Sequence, residues 1–224
     1  MCGRFTLRTP ATVLIEQFAL SAQLDFMVDL KPRFNIAPSQ SVLAVRESAG
    51  KRAPAWLRWG LIPSWSDDPK IGYKLINARA DTVHSKPSFR SAFKQRRCLV
   101  LADGYFEWKA LNSKTKQPYY FRRSDGAPFV FAGLWERWHH EEEVIESCTL
   151  ITTEPNALAA TVHDRMPVIL PERSYDTWLA ADTDSDRLRQ LLVPTADDGW
   201  ITTAVSSFVN KPANQGSECI EAVL

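Results

Sequence analysis

The sequence predicts an α+β fold, a mostly antiparallel, curved or barrel-like β-sheet core with peripheral helices. Three observations predict it. Segments rich in β-branched and aromatic residues outnumber helical ones. Those strands are not regularly separated by helices, which argues against a doubly wound sheet. The 224 residues are 45% hydrophobic and 24% charged, ordinary values for a chain that buries a full core without disulfide staples.

In chain order, Thr9-Pro10 reads as a helix start, with Thr9 as N-cap and Pro10 at the first helical position. Val13, Leu14, Gln17 and Phe18 keep helical spacing, so this helix is expected to reach about Leu20. Ser41 to Arg46 alternates as a strand does. Cys98 to Ala102, Tyr119 to Arg122, Phe129 to Leu134 and Thr149 to Thr153 are further strands. Asn112 to Gln117 reads as a hairpin loop. Helices are expected over Glu154 to Ala160, capped by Thr152 or Thr153, over Glu172 to Leu179, opened by Pro171, and over Asp184 to Leu192. The run WERWHHEEEVIE reads as a solvated loop. No repeat, low-complexity tract or Pro/Gly/Ser linker divides the chain, so residues 1–224 are expected to form one domain.

Bulk properties exclude several classes. The formal net charge is +1, so no global field advertises a polyanionic partner, and any basic surface must be local. Cys2, Cys98, Cys148 and Cys219 form no C-x-x-C pair, which speaks against a structural zinc site, and they are too scattered for a disulfide scaffold. The start MCGRFTLRT has no apolar stretch of a signal peptide. The longest apolar runs are far too short to span a bilayer. A soluble, reduced, cytoplasmic protein without membrane contact is the expectation, and the chemistry below needs no metal or organic cofactor.

Cys2 is the most informative residue. Aminopeptidases remove Met1 when the next side chain is small, and the mature chain would then begin with a 1,2-aminothiol. Its α-amine has a reference pKa of about 7.7–8.0, against about 10.4 for lysine, so it outcompetes an unperturbed lysine for an aldehyde by roughly two orders of magnitude. Once an imine forms, the neighbouring sulfur can close a five-membered thiazolidine on its carbon. The ring-opened sugar of an abasic DNA site is one aldehyde a protein would trap this way. Amide hydrolysis, with the thiol as nucleophile and the terminal amine as base, is a second use of the same groups. An unremarkable buried cysteine, structural in a protein that binds single-stranded DNA or RNA without covalent linkage, is a third reading.

Six fragments weigh on that choice: MCGRF at 1–5, RFNIAPSQ at 33–40, WGLIPSW at 59–65, INAR at 76–79, ADGYFEW at 102–108 and HDRMPVIL at 163–170. In this order and spacing the chain resembles the SOS-response-associated peptidase (SRAP) family of abasic-site processing proteins, nearly end to end. The resemblance implies Cys2 as nucleophile, with Asn77, Glu107 and His163 as further active-site residues. It implies a DNA-damage-response protein that links covalently to abasic sites in single-stranded DNA, carries a peptidase or hydrolase label tied to loss of Met1, and has a possible lyase activity. It is expected to act as a monomer, at the nucleoid when bound to DNA. The chemistry suits the residues. The Asn77 amide can both donate to and accept from a sugar oxygen. Glu107 can move a proton at the amine and imine, and His163 at the sugar oxygen, with those two roles exchangeable. Each residue also has a plain reading: Asn77 in a turn, Glu107 as a solvent-facing carboxylate pointing away from Phe106 and Trp108, and His163-Asp164-Arg165 as a surface ion-pair cluster. The other histidines, His84, His139 and His140, sit in polar segments.

For DNA, the family pattern implies a groove lined by Arg4, Asn35, Pro38, Trp65, Arg79, Thr152 and Arg165. Arginine suits bidentate phosphate contact and aromatic rings suit base stacking. Two departures stand out. Some bacterial relatives carry two adjacent Trp where this chain has Trp65-Ser66, so one stacking wedge is missing. Where relatives carry a basic residue soon after INAR, this chain has Lys86-Pro87, with Lys86 or Arg90 as substitutes.

Overall fold

The computed structural model describes residues 2–20, 30–48 and 50–223. Among them the strands run β1 (Arg4–Leu7), β2 (Arg33–Ile36), β3 (Ser41–Ser48), β4 (Lys51–Trp59), β5 (Asn77–Arg79), β6 (Arg97–Ala102), β7 (Gly104–Ala110), β8 (Lys116–Arg123), β9 (Phe129–His140), β10 (Glu143–Thr153), β11 (Met166–Pro167), β12 (Ile169–Leu170) and β13 (Trp200–Ala204). Short helices lie between them. No helix among the described residues is long and apolar enough to cross a membrane.

Five strands close a barrel. β10 pairs with β4, β4 with β3, β3 with β6, β6 with β9, and β9 returns to β10. Closure depends on β9 and β10, which are 12 and 11 residues long. β10 spends residues Glu143 to Leu150 on β9, yet its other edge still reaches β4 at Ser147 and Cys148 and β5 at Leu150 to Thr152. The β4 and β5 contacts are parallel, so the chain must leave the barrel after Trp59 and return before Asn77. Gly60 and Gly72 permit that excursion. Gly60 has φ +128°, and a Cβ there would sit 2.6 Å from the Gly72 carbonyl oxygen. Two glycines let the outgoing and returning backbones touch.

A second, antiparallel sheet, ordered β13-β8-β7-β1-β2, lies against the barrel. Phe5 of β1 meets Trp59 at 5.1 Å and Phe131 at 5.6 Å between ring centroids, and Tyr105 of β7 meets Phe131 at 6.2 Å. Phe131 is fully buried among these rings, so truncating it to Ala would cost about 3–5 kcal/mol. β6 is buried along its whole length, as a continuous apolar run between two covered faces must be. The helix Tyr175–Leu179 covers it, with the Trp178 indole donating to the Cys98 carbonyl. A smaller apolar cluster of Phe106, Tyr120, Val205, Val209 and Cys219 lies on the other face of β7, under the C-terminal segment.

The expected α+β architecture around an antiparallel, barrel-like sheet is what the chain adopts, but several local expectations need correction. The first helix spans Ala11–Gln17, and Ala19 takes φ 49°, which ends it before Leu20. Thr9 does not cap it; its hydroxyl donates to Asp103. The helix expected from Glu154 is reduced to Ala157–Ala160 and capped by Asn156, because Thr152 and Thr153 stay in β10 and Pro155 disfavours a helical Glu154. The helix expected over Glu172–Leu179 is a 3-10 turn, Glu172–Ser174, followed by the α-helix Tyr175–Leu179. The segment WERWHHEEEVIE is not a loop. It is the β9–β10 hairpin, with His140 opposite Glu143. Trp138 anchors it by donating to the Ser66 carbonyl at 2.6 Å, while charged side chains on the exposed edge disguise the strand alternation.

Candidate active site

Cys2 leads into β1, which runs between β2 and β7. It is fully buried, and its thiol points at the Arg4 carbonyl, Sγ···O 3.9 Å. Burial, and after it the neighbouring Glu107 carboxylate, push the thiol well above its ordinary pKa. It rests as a protonated thiol, not a thiolate. With Met1 attached, the Cys2 nitrogen is an amide. Only removal of Met1 makes it an amine.

Asn77 opens β5, where the chain returns to the barrel edge. Pairing with Leu150 fixes its place. Its Nδ2 donates to the Cys2 carbonyl at 2.9 Å, which joins the two across 75 residues of sequence. Its Oδ1 is buried without a hydrogen-bond partner among the described residues. An acceptor held this way is open to a ligand donor.

Glu107 lies on β7 with alternation as the sequence suggests, but the outcome differs from a solvent-facing carboxylate. Phe106 packs into the C-terminal cluster on one face, and Glu107 is 3% exposed on the other. Burial raises its pKa to about 7. A carboxylate titrating there can accept or release a proton at neutral pH. His163 follows the short helix Ala157–Ala160, its amide donating to the Ala159 carbonyl. Its Nε2 stands 4.0 Å from Glu107 Oε2, too far for a direct hydrogen bond. Its Nδ1 has two neighbours, the Arg165 amide at 3.1 Å and the Asp164 carboxylate at 2.9 Å. The amide is fixed by the backbone, whereas the Asp164 side chain is 88% exposed. Burial lowers the His163 pKa, so the neutral ring accepts at Nδ1 and carries its proton on Nε2, facing the Glu107 side.

The residues expected to line a groove divide into three groups. Arg79, Thr152 and Arg165 are contiguous: Arg79 pairs with Thr152 across β5 and β10, and Arg165 Nη2 donates to the Thr152 carbonyl at 2.6 Å. Thr152 is fully buried and supports this surface from beneath. Arg4 and Asn35 are engaged elsewhere. Arg4 donates to Asn35 Oδ1 and the Val209 carbonyl, both at 2.8 Å, and the buried Asn35 amide donates to the carbonyls of Val209, Lys211 and Asn214. Together they tie β1 and β2 to the C-terminal segment, so Asn35 positions backbone and has no exposed surface to offer a ligand. Pro38 lies partly buried on the turn before β3, and Trp65 is 60% exposed on the excursion between β4 and β5. Lys86 and Arg90 are both exposed.

Sequence reasoning missed Asp81, which holds Arg79 in a two-point fork at 3.1 and 2.7 Å. The signal was an Arg-x-Asp spacing at the end of a strand. It also missed Asp103, a buried carboxylate that accepts from the Thr6 hydroxyl and the Arg8 amide. Among the described residues no three His, Cys, Asp or Glu side chains stand together as metal ligands, and the four cysteines are free and buried.

The chain matches the family model described as SOS response associated peptidase (SRAP) over residues 1–212. The abasic site processing protein YoqW of Bacillus subtilis is 45% identical over 224 residues, covering 99% of this chain and 100% of the relative. The abasic site processing protein YoaM of the same organism is 44% identical, covering 99% and 98%. The solved structure of a protein from Bacteroides thetaiotaomicron is similar with a TM-score of 0.89 at 25% identity, over the full length of both chains.

Proposed function

The chain belongs to the SOS response associated peptidase family, and we propose that it processes abasic sites in DNA by capturing them covalently, in single strands, through Cys2 once Met1 is gone. Relatives named for abasic site processing support the substrate class. The observation that carries the chemistry is the hydrogen bond from Asn77 to the Cys2 carbonyl, made beside a buried carboxylate that titrates near neutrality.

Each step follows from a group in hand. His163, neutral with Nε2 protonated, hydrogen-bonds the sugar ring oxygen as the closed hemiacetal opens to the aldehyde, the proton that leaves the anomeric hydroxyl ending on that ring oxygen. The Cys2 amine attacks that carbon, and the carbinolamine loses water to give an imine. Glu107 takes a proton from the amine and returns it to the departing hydroxyl. The sulfur then bonds to the imine carbon, and the thiol proton passes to the nitrogen, which leaves a thiazolidine and a balanced loss of one water. A thiol held protonated until this stage fits the order, because the amine acts first. The same feature counts against a thiol peptidase, which needs its thiolate at the outset. Consumption of the imine also suppresses β-elimination, the lyase route open to an unprotected imine.

Intact mass under denaturing conditions tests the proposal. The protein is mixed with a uracil-containing single-stranded oligonucleotide pretreated with uracil glycosylase. The expected species is protein lacking Met1 plus DNA minus one water, absent with undamaged DNA and absent for Cys2→Ser. An adduct that survives in Cys2→Ser, or none from folded protein lacking Met1, would overturn it, and the second outcome would bring the peptidase forward.

A further inference from the structure

Trp65 is the most exposed tryptophan among the described residues, at 60%, yet the backbone beneath it is pinned. The Ser66 amide donates to the Pro63 carbonyl at 2.9 Å, which closes a β-turn with Ser64 and Trp65 at its two corners. Ser64 and Trp65 face solvent, whereas Ile62 and Pro63 are buried. Both ends of the segment 62–66 are held by the β9–β10 hairpin. The Ile62 amide donates to Ser147 Oγ at 2.8 Å, and the Trp138 indole donates to the Ser66 carbonyl at 2.6 Å. Trp138 pairs with Ile145 and Glu136 with Ser147, so Trp138 and Ser147 project from one face of the hairpin. The turn shares a support with the candidate site. The Leu61 amide donates to the Leu75 carbonyl at 3.1 Å, which joins the outgoing arm of the excursion to the returning one. That returning arm ends at Asn77, which holds the Cys2 carbonyl.

We infer that Trp138 is a positioning residue for DNA: with Ser147 it sets the turn that presents Trp65, and Trp65 stacks on a base beside the captured lesion. The inference rests on the abasic-site reading above and adds the device that holds the neighbouring base. An abasic nucleotide has no base of its own, so the rings on either side of it are left with an uncovered face. An exposed indole covers such a face whatever the base, because every base has a π-surface. A loop that had to order itself on binding would lose part of that gain to conformational entropy. Here the clamp has ordered the turn in advance. Trp138 suits the task because it is itself fixed: 2% exposed, with its ring stacked on His140 at 5.6 Å and 5°. Trp138 does not touch DNA in this arrangement. It acts through the Ser66 carbonyl.

The probe is a single-stranded oligonucleotide with a stable abasic analogue that lacks the aldehyde, made with the fluorescent base 2-aminopurine on its 5′ side or on its 3′ side. Stacking by an indole quenches that base, so emission reports the contact and anisotropy gives Kd, both without linkage chemistry. Trp65→Ala is expected to abolish the quench on one side and to raise Kd by about fivefold to 150-fold. Trp138→Phe keeps a buried ring against His140 and removes only the donor. It is expected to lose most of the same quench and to raise Kd by about twofold to tenfold. The double variant should bind no more weakly than Trp65→Ala alone, because the two residues act through one contact. A role in stability alone would lower the urea midpoint and leave the quench and the Kd of folded protein where they were. Wild-type quench and Kd in Trp138→Phe, additive losses in the double variant, or an unaltered quench in Trp65→Ala would each overturn the inference. Ser147→Ala breaks the other end of the clamp and carries the same expectations, so it decides the matter if Trp138→Phe does not fold. Failure of wild-type linkage with these binding differences intact would instead count against the capture chemistry.

Discussion

Two carboxylates stand at the two ends of the same short stretch and are equally buried, Asp103 at 2% and Glu107 at 3% exposure. Asp103 is surrounded by donors. It accepts from the Thr6 hydroxyl, the Arg8 amide and Nε, and the Thr9 amide and hydroxyl. These come from β1 itself and the two residues that follow it, so the carboxylate fastens the N-terminal strand and the chain leaving it to the start of β7. Glu107, four residues on, faces Cys2 and His163, and burial drives its pKa up to about 7. One buried acid is committed to holding the fold, and the other is kept near the point of protonation. The difference lies in what the opposing segment offers, since burial is the same.

The largest effect expected from this contrast is on rate. Glu107→Gln keeps the shape and removes the proton carrier, so covalent linkage to abasic DNA should slow by on the order of 10²–10⁴-fold. Asp103→Ala, assayed at the concentration of folded protein, should link at the wild-type rate. Single-turnover linkage followed on denaturing gels compares the two, and equal losses would break the distinction. The next effect is on stability, with the order reversed. Removing Asp103 strands the Arg8 cation and buried donors, so Asp103→Ala should cost about 3–5 kcal/mol in urea unfolding.

The contrast also marks what the sequence could disclose. Strands such as Cys98 to Ala102 and Phe129 to Leu134 are legible because β-branched and aromatic residues cluster without interruption. The β9–β10 hairpin was hidden because its end is exposed and charged, which erases the apolar alternation. Cys2 draws attention by position alone, and Asn77, Glu107 and His163 through the fragments around them. Asp103 lies inside one of those fragments, yet its role depends on Arg8 and Thr9, 95 and 94 residues away. Partners brought together by the closed barrel and its neighbouring sheet leave no local trace, so ion pairs and clefts were the part that required coordinates.

A third prediction uses pH. Glu107 has an ordinary value of 4.5 and about 7 in the fold, so the folded state binds its proton more tightly than the unfolded chain does. Its stabilising contribution is fully present below pH 4.5 and is lost as pH rises through about 7. The loss amounts to about 3 kcal/mol. Glu107→Gln cannot titrate. Relative to wild type it should therefore gain stability between about pH 5 and about pH 8, by an amount approaching that figure. Urea midpoints at the two pH values measure it. A constant difference would mean that the ionisation of Glu107 does not change between fold and unfolded chain over this range.

The smallest effect separates the two possible causes of the raised Glu107 pKa. Burial comes first, and the negative charge of Asp164 also acts upward, far behind it. The Asp164 side chain is 88% exposed, where solvent and salt screen it, and exposed charge pairs are worth only about 0.2–1 kcal/mol. Asp164→Asn should therefore move the acid limb of the linkage pH profile down by a few tenths of a pH unit at most, and high salt should erase the difference. The same substitution removes the carboxylate at His163 Nδ1 and leaves the Arg165 amide, so the Nε2-protonated ring is retained and the maximal rate should hold. A large displacement of the profile would assign the poise of Glu107 to surface charge and not to its place behind β1. The likeness in burial between Asp103 and Glu107 would then explain nothing about their different behaviour.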